Sequence, residues 1–129
     1  MSRVGYKALV QAAEAQIRTI SAAEAIDILG SDDVVFVDLR DVRELKREGG
    51  IPGAFHCPRG LLEFWIDPES PYHHAVFAEP MEFVFFCNLG WRSALAADIA
   101  QQMGLKSCHI DSGFDAWKAN GGKVAQGKR

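Results

Sequence analysis

Three cysteines are all this chain has, and no two of them stand in a C-x-x-C pair. Cys57, Cys87 and Cys108 are an odd number without that spacing, which argues against a disulfide framework and a structural zinc site and suits a reducing compartment. His73 and His74 adjoin in a proline-flanked loop with no cysteine or acid at ligand spacing, and His56 and His109 fall in strand-like stretches, so no metal site is expected. No apolar run approaches membrane-spanning length, and the opening MSRVGYKALVQAAEAQI lacks a long apolar core, so neither insertion nor secretion is signalled. The expected location is the cytoplasm. A formal charge of −3 leaves no footprint for nucleic acid or an anionic membrane. Internal repeats and low-complexity segments are missing too, so any anion that binds must be held by local features.

What is present is an alternation. With 129 residues the chain fits one compact domain able to bury a single core. Val4, Leu9, Ala13 and Ile17 recur at helix-like intervals and predict an amphipathic N-terminal helix, treated as an extension over residues 1–17 ahead of a domain over 18–124 and a polar tail over 125–129. TISAAEAIDILG carries Ser21 and Glu24 at capping-box spacing and predicts a second helix stopped by Gly30. VVFVD at 34–38 and EFVFFC at 82–87 are apolar runs of the kind buried on both faces of a parallel sheet. A brief strand is expected around 54–57 and another over KSCHI, with Cys108 and Ile110 on one face. SALAADIAQQMG predicts a helix with Leu95, Ile99 and Met103 as its apolar stripe, FDAWKANGG a closing helix, and the segment GGKVAQGKR a frayed end. Strands alternating with helices imply an α/β fold, a parallel sheet covered on both faces.

In such sheets ligands bind outside the carboxyl ends of the strands. Of the four predicted ends, only the one at 87–93 combines a nucleophile with an anion site. If Asn88, Leu89, Gly90, Trp91, Arg92 and Ser93 curl over Cys87 before entering the helix, their N–H groups form a nest that stabilises a thiolate and receives an anionic substrate. Gly90 permits the turn, and Arg92 adds a fixed charge and a planar donor fork. Arg59, in the neighbouring loop, is a further candidate for the anionic donor. Trp91 reads equally well as a lid or as cover for the sheet edge. Cys57 and Cys108 read as buried core residues, with a resolving role for Cys57 the less favoured alternative. The charged cluster of Asp38, Arg40, Asp41, Arg43 and Glu44 reads as capping and ion pairing that hold the loops.

Cys87-Asn88-Leu89-Gly90-Trp91-Arg92-Ser93 resembles the C-x-x-G-x-R-S active loop of the rhodanese family of single-domain sulfurtransferases. VDLRDVRE at 37–44, GGIPGAFH at 49–56 and DSGFDAWKANGG at 111–122 resemble its other signatures, in family order, with Ser112 where the family more often has glycine. The resemblance implies a central five-stranded parallel sheet. It implies that the Cys87 thiolate takes the outer sulfur of thiosulfate, releases sulfite, and passes the sulfur from a persulfide to cyanide or a cellular thiol, with no cofactor. Two alternatives compete: a sulfur-relay or binding module fed by a protein persulfide, and a cysteine phosphatase or arsenate reductase. The latter resemble this chain in pairing cysteine with arginine, but their loop is Cys-x5-Arg, whereas four residues separate Cys87 from Arg92.

Overall fold

The computed structural model describes residues 3–126. Five strands form one wholly parallel sheet: β1 (Arg18–Ile20), β2 (Val34–Asp38), β3 (Phe55–His56), β4 (Glu82–Phe86) and β5 (Lys106–Ile110), in the order β1-β5-β4-β2-β3. Among the described residues six α-helices alternate with them: α1 (Tyr6–Glu14), α2 (Ala22–Ile28), α3 (Val42–Glu48), α4 (Leu62–Ile66), α5 (Trp91–Gln102) and α6 (Gly113–Ala119). Among the described residues no helix is long and apolar enough to cross a membrane.

The apolar strands are continuous because both faces are covered. Phe36, Val84, Phe86, Cys108 and Ile110 pack with Ala22 and Ala25 of α2 and Phe114 and Trp117 of α6. Their alternates Val37, Phe83 and Phe85 pack with Leu62 and Ile66 of α4 and Ala96, Ala97 and Ala100 of α5. Period-two side chains thus feed two cores from one sheet.

Three features depart from expectation. The fifth strand is β1, three residues at the sheet edge of which only Ile20 is buried, where no strand is expected; the second helix starts after Ser21, whose hydroxyl accepts the Glu24 N–H as the capping spacing predicts. The buried face of α5 is Ser93, Ala94, Ala96, Ala97 and Ala100, not the stripe of Leu95, Ile99 and Met103, because small side chains let the helix approach the sheet while α1 packs along it from outside. Nor is the chain frayed from Gly121 onward: Ala125 exchanges two backbone hydrogen bonds with Gly50, and the Trp117 indole donates to the Lys123 carbonyl. Residues 127–129 of the expected tail lie outside the described residues.

Candidate active site

Strand β4 delivers Cys87 to the carboxyl edge of the sheet, where its side chain is 1% exposed. The chain then turns through Gly90, whose φ of 97° lies in the left-handed region open to glycine, and α5 begins at Trp91. This turn brings the Gly90 N–H to 3.2 Å from Cys87 Sγ, where it donates to the sulfur. The N–H groups of Trp91, Arg92 and Ser93 belong to the first helical turn and have no intrahelical acceptor, so they are available to negative charge. The Cys87 thiol in turn donates to Ser93 Oγ at 3.6 Å.

The underside of the loop is fixed by α6. The Phe114 N–H donates to the Cys87 carbonyl at 2.7 Å and the Asp115 N–H to the Asn88 carbonyl at 3.2 Å. That approach requires Gly113, since a Cβ there would overlap the Cys87 carbonyl oxygen. Ser112 adopts φ 58°, the left-handed conformation that the glycine more usual here takes without strain.

The charged cluster holds the other side. Arg40 is fully buried, doubly bonded to Asp38, donates to the Gly49 carbonyl at 2.8 Å, and reaches Asn88 Oδ1 at 3.3 Å. Asn88 Nδ2 donates to Glu44 Oε1 at 2.8 Å. Glu44 closes the capping box of α3 and receives both arms of the Arg92 guanidinium, at 2.9 and 3.0 Å. The positive charge beside Cys87 is therefore not a free one. It is the outer half of an ion pair whose acid comes from the first turn of α3.

The Arg92 hydrogen bonds hold the Glu44 carboxyl below the ordinary carboxylate range, against the opposing effect of burial. Because its native pKa is depressed, the stabilisation is complete above the unfolded-state value and is lost as pH falls through the lower native one. Arg92→Leu is expected to begin acid unfolding at a higher pH than wild type when followed by circular dichroism; superimposable curves would remove this pair from the stability of the loop. The partial exposure of both groups keeps the effect modest.

The remaining expected site residues are spread around this centre. Leu89 and Trp91 are exposed, and the Trp91 ring packs against Tyr6 of α1 with centroids 4.8 Å apart. Arg59 opens a turn of 3-10 helix after β3, and its guanidinium donates to Glu63 at 3.0 Å, with no hydrogen bond to the Cys87 loop among the described residues. Cys57 and Cys108 are fully buried, and burial pushes each thiol up to about 12. No cluster of three potential metal ligands occurs among the described residues.

The Rhodanese-like domain family model matches residues 21–120. The chain belongs to this family. It is 28% identical over 104 residues to the thiosulfate sulfurtransferase/rhodanese-like domain-containing protein 3 of Mus musculus, covering 76% of this chain and spanning 66% of the mouse protein. It is 32% identical over 92 residues to the thiosulfate:glutathione sulfurtransferase of Homo sapiens, covering 67% of this chain and 79% of the human one. Among solved structures, a protein of unknown function from Rhodopseudomonas palustris CGA009, described as a possible tyrosine phosphatase, superposes with a TM-score of 0.92 at 50% identity, covering 97% of this chain and 99% of that one. Rhodanese membership with sulfurtransferase relatives supports sulfur transfer as the general class of chemistry.

The sequence points to the Cys87 loop and to Glu44 among the groups that hold it, but not to Glu44's partners nor to what lies behind Ser93. Glu44 is the acid on which Asn88 and Arg92 converge. His109, set aside as a strand residue, contacts Ser93, and Glu14 of the N-terminal helix contacts His109. One signal was available: alternation along β5 puts Ser107 and His109 on the face opposite Cys108 and Ile110, two polar residues aimed at an alanine-rich helix.

Proposed function

We propose that this rhodanese carries sulfane sulfur on Cys87, taking it from thiosulfate and handing it to a thiol or cyanide. The thiolate attacks the outer sulfur of thiosulfate, the S–S bond of the donor breaks, sulfite leaves with the electron pair, and Cys87 holds a persulfide. A second thiophile then attacks the outer sulfur and regenerates the thiolate. The observation that carries this reading is the loop of four residues between Cys87 and Arg92, in which the Gly90 N–H already donates to Sγ and the first-turn N–H groups of α5 await a second sulfur. Asn88, Leu89, Gly90, Trp91, Arg92 and Ser93 form the donor site, with Arg59 at its margin. The setting we envisage is the reducing cytoplasm, and a protein persulfide is the alternative donor.

The phosphatase description of the Rhodopseudomonas palustris relative raises a second reading. A tetrahedral phosphate needs a wider loop and an arginine fork turned toward it. Here the loop is one residue short of Cys-x5-Arg, and both arms of Arg92 are bonded to Glu44.

Purified protein incubated with thiosulfate is expected to gain one sulfur atom by intact mass, on the Cys87 peptide, and to lose it to cyanide. Hydrolysis of an aryl phosphate without sulfur uptake would replace this reading with the phosphatase one. Uptake from a persulfidated protein but not from thiosulfate would replace the donor.

A further inference from the structure

Behind Cys87 a line of polar side chains runs away from the active loop. Ser93 Oγ lies 3.6 Å from Cys87 Sγ and 2.9 Å from His109 Nδ1, and the Nε2 of the same ring faces Glu14 Oε2 at 3.4 Å. Ser93 and His109 are both fully buried, between α5 and the sheet. Glu14 is the last residue of α1 and is partly exposed. His109 Nε2 has no formed hydrogen bond among the described residues, so Glu14 is the one acceptor the ring faces there.

A buried histidine with a hydroxyl on one nitrogen and a carboxylate near the other has a defined tautomer. A proton on Nε2 faces Glu14, which leaves Nδ1 to accept the Ser93 hydroxyl and Ser93 Oγ to accept the Cys87 thiol. We infer that Ser93, His109 and Glu14 form a relay that draws the proton from Cys87, so that helix α1 completes the active centre. In this step the Cys87 S–H bond breaks and its proton passes to Ser93 Oγ, while the Ser93 hydroxyl proton passes to His109 Nδ1. The products are a thiolate and an imidazolium protonated on both nitrogens, a net transfer of one proton by two hops with no redox partner required. Two contacts persist with their polarity reversed, Nδ1–H donating to Oγ and the Ser93 O–H to the thiolate beside the Gly90 N–H, while Nε2–H faces the Glu14 carboxylate as before.

The charged groups that bear on the ring are Glu14 from α1 and Asp111 just beyond its own strand, both favouring the charged form. The neighbouring strands offer Thr19 and Phe85 in register, neither of them charged. Burial is the larger influence and pushes the imidazole below its ordinary range, so the resting ring is neutral, and the imidazolium formed in the step depends on the facing Glu14 carboxylate to offset that burial. His109 and Glu14 act through Ser93 and are positioning residues.

The relay rests on Cys87 being the reacting thiol, and alkylation tests it independently of sulfur transfer. The rate of Cys87 carbamidomethylation by iodoacetamide is measured against pH by peptide mass, with Cys57 and Cys108 as unreactive internal controls. Glu14→Gln, at a partly exposed position, is expected to slow the reaction roughly tenfold at pH 7 and to move its rise to higher pH, the scale of one charge-assisted contact that the imidazolium makes and the neutral ring does not. Ser93→Ala is expected to do the same and to abolish any further effect of Glu14→Gln in the double variant. A Glu14→Gln profile superimposed on wild type would overturn the relay, as would an equal Glu14→Gln effect in the Ser93→Ala background, which would mark a looser α1. Should Ser93→Ala not fold, the Glu14→Gln profile decides alone. A shifted profile in a protein that takes no sulfur from thiosulfate would leave the relay standing and remove the function proposed above.

Discussion

Cys87→Ser protein is expected to take up no sulfur from thiosulfate and to transfer none to cyanide, while melting as the wild type does. The exchange replaces Sγ by a smaller oxygen in a position 1% exposed, with the Gly90 N–H still there to be accepted, so the fold has little reason to change. The chemistry has every reason to. A serine hydroxyl stays protonated at neutral pH, and the persulfide exists only if a sulfur nucleophile receives the outer sulfur. Removing a covalent nucleophile costs on the order of 10⁶-fold in other enzymes, which here means a signal below detection by intact mass. Neither remaining cysteine can substitute, since burial pushes both thiols up to about 12. Sulfur recovered on the Cys57 or Cys108 peptide of the variant would place the carrier elsewhere in the molecule.

Gly113→Ala should be the most damaging glycine-to-alanine change among the described residues. Its Cβ would overlap the Cys87 carbonyl oxygen and crowd the Asn88 carbonyl, at a residue whose φ is 52°. Left-handed backbone costs about 1–2 kcal/mol for a residue with a side chain, and overpacking adds about 1–3 kcal/mol. A total of roughly 2–5 kcal/mol is a large share of the 5–15 kcal/mol by which domains of this size are stable. The urea midpoint should fall with the slope unchanged. The protein that still folds should load sulfur slowly, because the displaced carbonyl belongs to Cys87 itself. A midpoint within error of wild type would show that the loop yields at this point, and that α6 does not fix Cys87.

The two predictions draw on different layers of the sequence. Cys87 was legible because its surroundings are local: an apolar run, a glycine three residues on, and a helix whose first turn supplies donors. Strands β2 and β4 were legible for a similar reason, as continuous apolar runs need cover on both faces. Strand β1 was not, since a three-residue edge strand with one buried side chain carries no period to read. The apolar face of α5 was misassigned because alanines weigh little in a pattern built on large residues, though they are what lets a helix lie close on a sheet. Pairings across the chain were beyond reach as well. Glu44 and Arg92 lie 48 positions apart, and only the fold brings the first turn of α3 against that of α5. His109 and Glu14 escaped notice for the same reason.

The recessed position of Cys87 has a consequence for how such a carrier is recognised. A thiol 1% exposed presents almost no surface to a macromolecular partner, whatever small reagents reach it. On the proposed chemistry, loading lengthens that side chain by one S–S bond, about 2 Å. Empty and loaded proteins then differ in what they present at the loop by the cargo alone. An acceptor needs no rearrangement elsewhere to tell one from the other.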